Sequence, residues 1–107
     1  MRFEVLLTEA ADGDLEELYD FIAEHDAPSK ADDVIDHIEK VLERLAAFPQ
    51  RGSFPKELLA LGIREYRETF FKPYRVIYRI IGQRVVVYII ADGRRNMQAL
   101  LERRFLM

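Results

Sequence analysis

Apolar residues recur along this chain with two periods, and the change from one to the other divides it near its middle. The run RFEVLL, residues 2–7, is short and apolar and stops at Thr8, which predicts a first strand leading into a helix N-cap. From Ala11 the apolar positions Ala11, Leu15, Leu18 and Ile22 follow at steps of three and four, with Tyr19 widening the stripe. That is an amphipathic helix ending near His25. The segment HDAPSK interrupts it, with Asp26 expected to cap a second helix and Pro28 tolerated in its first turn. In that second helix Ala31, Val34, Ile35, Ile38, Val41, Leu42, Leu45 and Phe48 form one apolar face, and Pro49 stops it. The short connection predicts an antiparallel helical hairpin.

Beyond Pro49 the period changes. Residues 49–62, PQRGSFPKELLALG, hold two prolines and two glycines and read as a loop with one helical turn around residues 57–61. Three strands follow, at about residues 63–71, 74–81 and 84–91, joined by tight turns at Lys72-Pro73 and Gly82-Gln83. The last segment, RRNMQALLERRFLM, is a short helix or a tail. The expected architecture is α+β: an N-terminal strand, a helical hairpin and a three-stranded antiparallel meander, with helices on one face of the sheet. At 107 residues the chain suits one domain.

Alternation within residues 74–81 puts Arg75, Ile77, Arg79 and Ile81 on one face and Tyr74, Val76, Tyr78 and Ile80 on the other. The second set reads as core beneath the helices and the first as an open face. Arg64 and Arg67 fall on opposite faces and cannot share a patch, whereas Arg94 and Arg95 would stand at the end of the sheet near the open face. Planar guanidinium forks suit phosphate or carboxylate, so Arg75, Arg79, Arg94 and Arg95 are the candidate target-binding residues, for RNA or an acidic protein segment. The competing reading is that such a face is polar in any case, its arginines pairing with Glu65 or Glu68 beside them. The tail ALLERRFLM could take part in the same surface or simply pack against the helices.

Charge sharpens the division. Residues 1–50 carry four Lys or Arg against fourteen Asp or Glu, net −10, while residues 51–107 carry twelve against five, net +7; together they make the −3 of the whole chain. An acidic helical half and a basic strand half would steer an acidic partner to one side. No apolar run approaches the roughly 20 residues that span a bilayer, and an acid-rich start rules against a signal peptide, so no membrane partner and a cytoplasmic location are expected. Without cysteine there is neither a disulfide nor a thiolate metal site. His25 and His37 read as solvated residues and the adjacent acid pairs Glu16-Glu17 and Asp32-Asp33 as a solvated helix face. Ser29 and Ser53 have no companion histidine at interpretable spacing, and no Gly-rich phosphate loop is present. Tyr66, Tyr74, Tyr78 and Tyr88 could stack on bases, though alternation makes Tyr74 and Tyr78 core. No cofactor or metal is implied.

The order of strand, helical hairpin, PQRG loop, GIREY, YRVIYRI, VVVYIIA and GRR resembles the RelE/ParE superfamily of bacterial toxins over nearly the whole chain. Specificity lies in the YRVIYRI hairpin followed by a strand ending in GRR. The resemblance implies a small α+β fold, a cognate antitoxin protein and operator DNA contacted only through that antitoxin. RelE-like members cut mRNA on the ribosome with basic residues and a proton-transfer group; Arg75 matches the arginine of the YR motif and Arg95 the arginine after the last strand. Two departures follow. The lysine-rich stretch of RelE corresponds to Tyr66, Arg67, Glu68 and Thr69, and its terminal tyrosine falls near Leu101, with no His or Tyr beyond Tyr88. A pI near 5.4 also suits a nucleic-acid grip poorly. The likeness is therefore closer to ParE, which implies inhibition of DNA gyrase by a protein that is not an enzyme. The alternatives are a RelE-like ribosome-dependent mRNA endonuclease, with Arg75 and Arg95 catalytic, and an inactive component of an autoregulatory repressor complex.

Overall fold

A computed structural model describes residues 2–105. The chain runs β1 (Glu4–Leu7), α1 (Glu9–His25), α2 (Pro28–Leu45), a 3-10 turn (Pro49–Arg51), α3 (Lys56–Leu59), β2 (Arg67–Phe71), β3 (Tyr74–Ile81), β4 (Arg84–Asp92) and α4 (Met97–Phe105). The four strands form one sheet in the order β1-β4-β3-β2, with β1 parallel to β4 and the remaining pairs antiparallel. The α+β class, the helical hairpin and the antiparallel meander are as expected, and β1 adds a parallel pair that makes the sheet mixed.

Local chemistry explains the helix ends. Thr8 caps α1, its Oγ1 accepting from the Ala11 N–H at 3.1 Å, and Glu9 and Asp12 lie in the first turn where the helix dipole favours acids. Asp26 does not cap α2; it closes α1, its N–H donating to the Ile22 carbonyl at 2.8 Å. The N-cap of α2 is Ala27, and Pro28 occupies the first turn, where a missing N–H costs no helical hydrogen bond. Asn96 Oδ1 accepts from the Ala99 N–H at 3.1 Å and so starts α4.

The hairpin buries Ala11, Ile22, Ala31, Val34, Ile38, Val41 and Leu45 against Tyr74, Val76, Tyr78, Val85, Val87 and Ile90. Full burial of a side chain such as Ile38 stabilises by roughly 1.5–3 kcal/mol. Gly52 is placed by this core: the Tyr78 hydroxyl donates to the Pro49 carbonyl at 2.6 Å, and a Cβ on Gly52 would lie 2.0 Å from that hydroxyl.

The other face of the sheet is not open. Leu58 of α3 and Met97, Leu100 and Leu101 of α4 cover Ile77, Ile89 and Ala91, so the tail is a helix packed on the sheet rather than against the hairpin. A register shift helps to build this layer. Ile77 pairs with Ile89 and Tyr78 with Val87, leaving Tyr88 as an extra residue that puts Tyr88 and Ile89 on the same face. A second correction concerns β2, which begins at Arg67, so Arg64 lies outside the sheet.

One mismatch in length positions the site. β1 ends at Leu7, opposite Val87, whereas β4 continues to Asp92, so the last part of β4 has no neighbouring strand on that side. No helix among the described residues is long and apolar enough to cross a membrane.

Candidate functional site

Arg75 is the second residue of β3, and its side chain is buried rather than presented: the residue is 8 % exposed. Its Nε donates to Glu68 Oε1 at 2.8 Å, and Nη1 and Nη2 donate to the two oxygens of Glu57, each at 2.8 Å. Glu68 comes from the neighbouring strand and Glu57 from α3, so the guanidinium ties the short helix to the sheet in a bidentate fork. The Glu57 carboxylate, gripped by that fork, titrates below its ordinary range, whereas burial pushes the Glu68 carboxyl up against the same attraction. Arg75 holds its own proton more tightly than usual, chiefly through Glu57. The competing sequence reading, pairing with Glu68, is what the geometry shows. Glu57 as a second partner had no signal beyond being one of five acids in the basic half.

The Arg75 stem supports the turn that follows β4. A Cβ on Gly93 would stand 2.8 Å from Arg75 Cδ and 3.1 Å from the Pro73 carbonyl oxygen, so only glycine allows this approach without movement. The turn presents Arg94 and Arg95, both exposed. Arg94 folds back on Asp92, its Nη2 lying 2.6 Å from Oδ2 and its N–H 2.9 Å from Oδ1, and this holds the Asp92 carboxyl below its ordinary range. The Arg95 N–H donates to the Asp92 carbonyl at 3.1 Å, and its guanidinium has no hydrogen-bond partner among the described residues.

Arg79 is elsewhere. It shares Arg75's face, four residues further along the strand, which at about 3.3 Å per residue is roughly 13 Å away. It borders Tyr66, which stacks on Phe105 at 4.4 Å and meets Tyr88 edge-on at 5.4 Å, so Tyr66 and Tyr88 are packed aromatics rather than free platforms. The structure therefore brings Arg94 and Arg95 together above a buried Arg75 and leaves Arg79 at the other end.

The bare edge of β4 opens into a groove of about 480 Å³. Its apolar lining includes Leu18, Phe21, Ile22 and Tyr74, and its rim carries Glu17, Arg94 and Arg95. Phe21 is 59 % exposed despite its size. At the start of this edge Asp14 and Arg104 form a salt bridge; Asp14 Oδ2 accepts from the Ile90 N–H at 3.0 Å and Arg104 Nη1 donates to the Tyr88 carbonyl at 2.9 Å. Sequence reasoning missed both. Asp14 did leave a signal, since it sits within the apolar stripe three residues after Ala11 and four before Leu18. Both histidines are exposed, His25 stacked on Phe21 at 4.1 Å and His37 on Phe71 at 4.8 Å. Among the described residues no three of His, Asp and Glu converge as a metal site would require.

The fold is that of the RelE/ParE toxins. It resembles the solved chromosomal ParDE toxin–antitoxin system of P. aeruginosa at a TM-score of 0.71, with 20 % identity and 85 % of this chain and 96 % of that one covered. It also resembles the toxin–antitoxin complex RelBE2 of Mycobacterium tuberculosis at 0.60, with 22 % identity and 86 % and 99 % covered. Sequence narrows this further. Residues 5–98 match the family described as the ParE toxin of the type II toxin–antitoxin system parDE, and Toxin ParE3 of Caulobacter vibrioides is 35 % identical over 97 residues, 91 % of this chain and 93 % of that protein. The chain belongs to the ParE toxin family of type II toxin–antitoxin systems, as the resemblance in YRVIYRI and GRR implied.

Proposed function

We propose that the chain is one toxin domain that inhibits DNA gyrase in the cytoplasm and is neutralised by a cognate protein antitoxin. The observation that carries the choice of target is the state of Arg75. A RelE-like nuclease would need this guanidinium free for a scissile phosphate, yet it is buried and spends its donors on Glu57 and Glu68. Replacing those carboxylates by a phosphate would leave two acids beside the incoming anion, which is electrostatically unfavourable. Arg94 and Arg95 are the contact residues in this reading, Arg75 positions the turn that bears them through Gly93, and Arg79 extends the surface at the far end of the sheet. The acidic hairpin cannot grip DNA, so operator binding falls to the antitoxin.

The deciding experiment induces the chain alone in a bacterial host and pulse-labels new DNA and new protein over the first minutes. DNA synthesis is expected to fall first. An earlier fall in protein synthesis would overturn the gyrase reading and return Arg75 and Arg95 to the catalytic role of the ribosome-dependent endonuclease. No fall in either would favour the inactive repressor component.

A further inference from the structure

β2 is the sheet edge opposite β1, and Ser53 covers it at one place. There the Ser53 N–H donates to the Glu68 carbonyl at 3.2 Å and the Glu68 N–H to the Ser53 carbonyl at 2.7 Å. Outward-facing groups recur at every second residue of an antiparallel strand, so the Phe70 N–H and carbonyl also point away from β3. The residue that would meet them is Arg51, two before Ser53, but residues 49–51 are wound into the 3-10 turn. Both Phe70 groups are left without a partner among the described residues. This edge borders a cavity of about 310 Å³ against the end of α2, walled by Val41, Leu45, Phe48 and Tyr78 and by two arginines, Arg44 and Arg51. The Arg51 guanidinium lies 3.9 Å from the centre of the Phe48 ring, and neither arginine has a hydrogen-bond or carboxylate partner among the described residues. Glu68 is the one acid in the lining. Its carboxylate is turned to the other side of the sheet, since Glu68 pairs with Ile77 of the layer beneath α4 and Arg75 holds it there. The site is positive, apolar inside and short along the edge.

We infer that this edge captures the C-terminal end of another protein chain, one that finishes in an apolar residue. The penultimate residue of that chain pairs with Phe70, donating its N–H to the Phe70 carbonyl and accepting the Phe70 N–H. The last residue then stands opposite Thr69. Thr69 pairs with Val76, which faces the helical hairpin, so the last side chain points the same way and enters the cavity among Val41, Leu45 and Phe48. A longer chain would collide with Ser53, which already holds the next place, opposite Glu68. The chain end leaves its α-carboxylate beside Arg44 and Arg51, whose planar forks suit that group. Arg94 and Arg95 line the groove along β4 and not this cavity. The inference therefore goes beyond the gyrase reading and concerns a partner that the toxin holds with its arginine turn uncovered, not its neutralisation.

The test uses the isolated full chain, labelled with nitrogen-15, and N-acetylated threonine hexapeptides that end in valine, leucine or phenylalanine with a free carboxylate. Saturable binding of at least one is expected to shift the Phe70 amide and slow its exchange with deuterium. The C-terminal amide of that peptide, and the same peptide extended by two glycines, are each expected to bind roughly tenfold more weakly. Arg44→Glu and Arg51→Glu, both at exposed positions, are expected to weaken binding to the same degree with the circular dichroism unchanged, whereas Arg103→Glu, also exposed, leaves it intact. The inference is overturned if none of the free acids binds saturably, if the amide or the extended peptide binds as well, if the shifts fall away from residues 51–53 and 68–71, if Arg103→Glu matters as much as Arg44→Glu, or if adenosine monophosphate takes the cavity instead. Because the readout is binding alone, its failure is distinct from any failure of the gyrase reading.

Discussion

Arg104, near the end of the chain, and Asp14, near its beginning, close a salt bridge around the bare edge of β4 and bond the two backbone groups that β1 is too short to reach. Asp14 is 9 % exposed, so removing either partner strands a charge or a backbone group in a poorly solvated place. Asp14→Ala is expected to lose about 3 kcal/mol of stability in urea unfolding. Replacing both residues should cost less than the sum of the single changes, as a double-mutant cycle measures. A single loss within about 0.5 kcal/mol, the range of ordinary surface changes, would show the bridge to be ornamental.

Gly52 and Tyr78 make a second pair whose contact has a definite sign. With a Cβ 2.0 Å from the Tyr78 hydroxyl and 2.8 Å from the Glu68 carbonyl oxygen, Gly52→Ala must push a fully buried tyrosine or the β2 backbone aside. The expected cost is about 1–3 kcal/mol, as for overpacked cores. Tyr78→Phe keeps the shape and leaves the Pro49 carbonyl without its 2.6 Å donor, with an expected loss of about 1–2 kcal/mol. Thermal unfolding of the two variants, with Gly52→Ala no less stable than wild type, would refute the steric argument.

The two carboxylates on Arg75 act in opposite directions with pH. Glu57 titrates low in the fold, so its contribution is present above the ordinary glutamate pKa of about 4.3 and is lost as pH falls through its folded value. Glu68 titrates high, so its contribution is present below that ordinary value and is lost as pH rises through its folded value. Glu68→Gln removes the second effect and leaves the first. The expected result is that the loss of stability above about pH 4 that Glu68 causes in the wild type disappears while the gain below that pH is kept, read from urea midpoints at a series of pH values. An unchanged slope would mean that Glu68 titrates alike in folded and unfolded chains.

Arg94→Ala and Arg95→Glu alter exposed side chains, that of Arg94 paired with Asp92 in the same turn and that of Arg95 without a partner among the described residues. Folding should be unaffected, while growth inhibition falls strongly, most of all in the double variant. Gly93→Ala is expected to lower inhibition as well, by displacing the Arg75 stem that supports the turn. Full toxicity of a stable Arg94, Arg95 double variant, scored by colony formation on induction, would remove these residues from target contact.

Much of the architecture was legible because it depends on local periodicity. Threonine at position 8, the apolar face of α2 and the alternation of Tyr74, Val76 and Tyr78 each announce their place, and the structure puts them there except for Phe48, which lies past the end of α2 at Leu45 and is 50 % exposed. The candidate site was legible only in part. Arg94 and Arg95 were found as an exposed pair at the end of the sheet, but the alternation that placed Arg75 and Arg79 on one face could not say that α3 and α4 cover its Arg75 end. Nor could a one-dimensional pattern reveal the extra residue at Tyr88, which depends on cross-strand register.

Taken alone, the sequence determined the elements, the acidic and basic halves and the family likeness, because these follow from residue type and short-range spacing. Only the tertiary structure decided which charges are spent and which are free. Arg75 meets Glu57 across 18 positions of chain and Arg104 meets Asp14 across 90, while Arg95 is left without a partner among the described residues. The reason is physical: an ion pair is made by proximity in space, and that is fixed by how the two sheet faces are covered and where β1 stops.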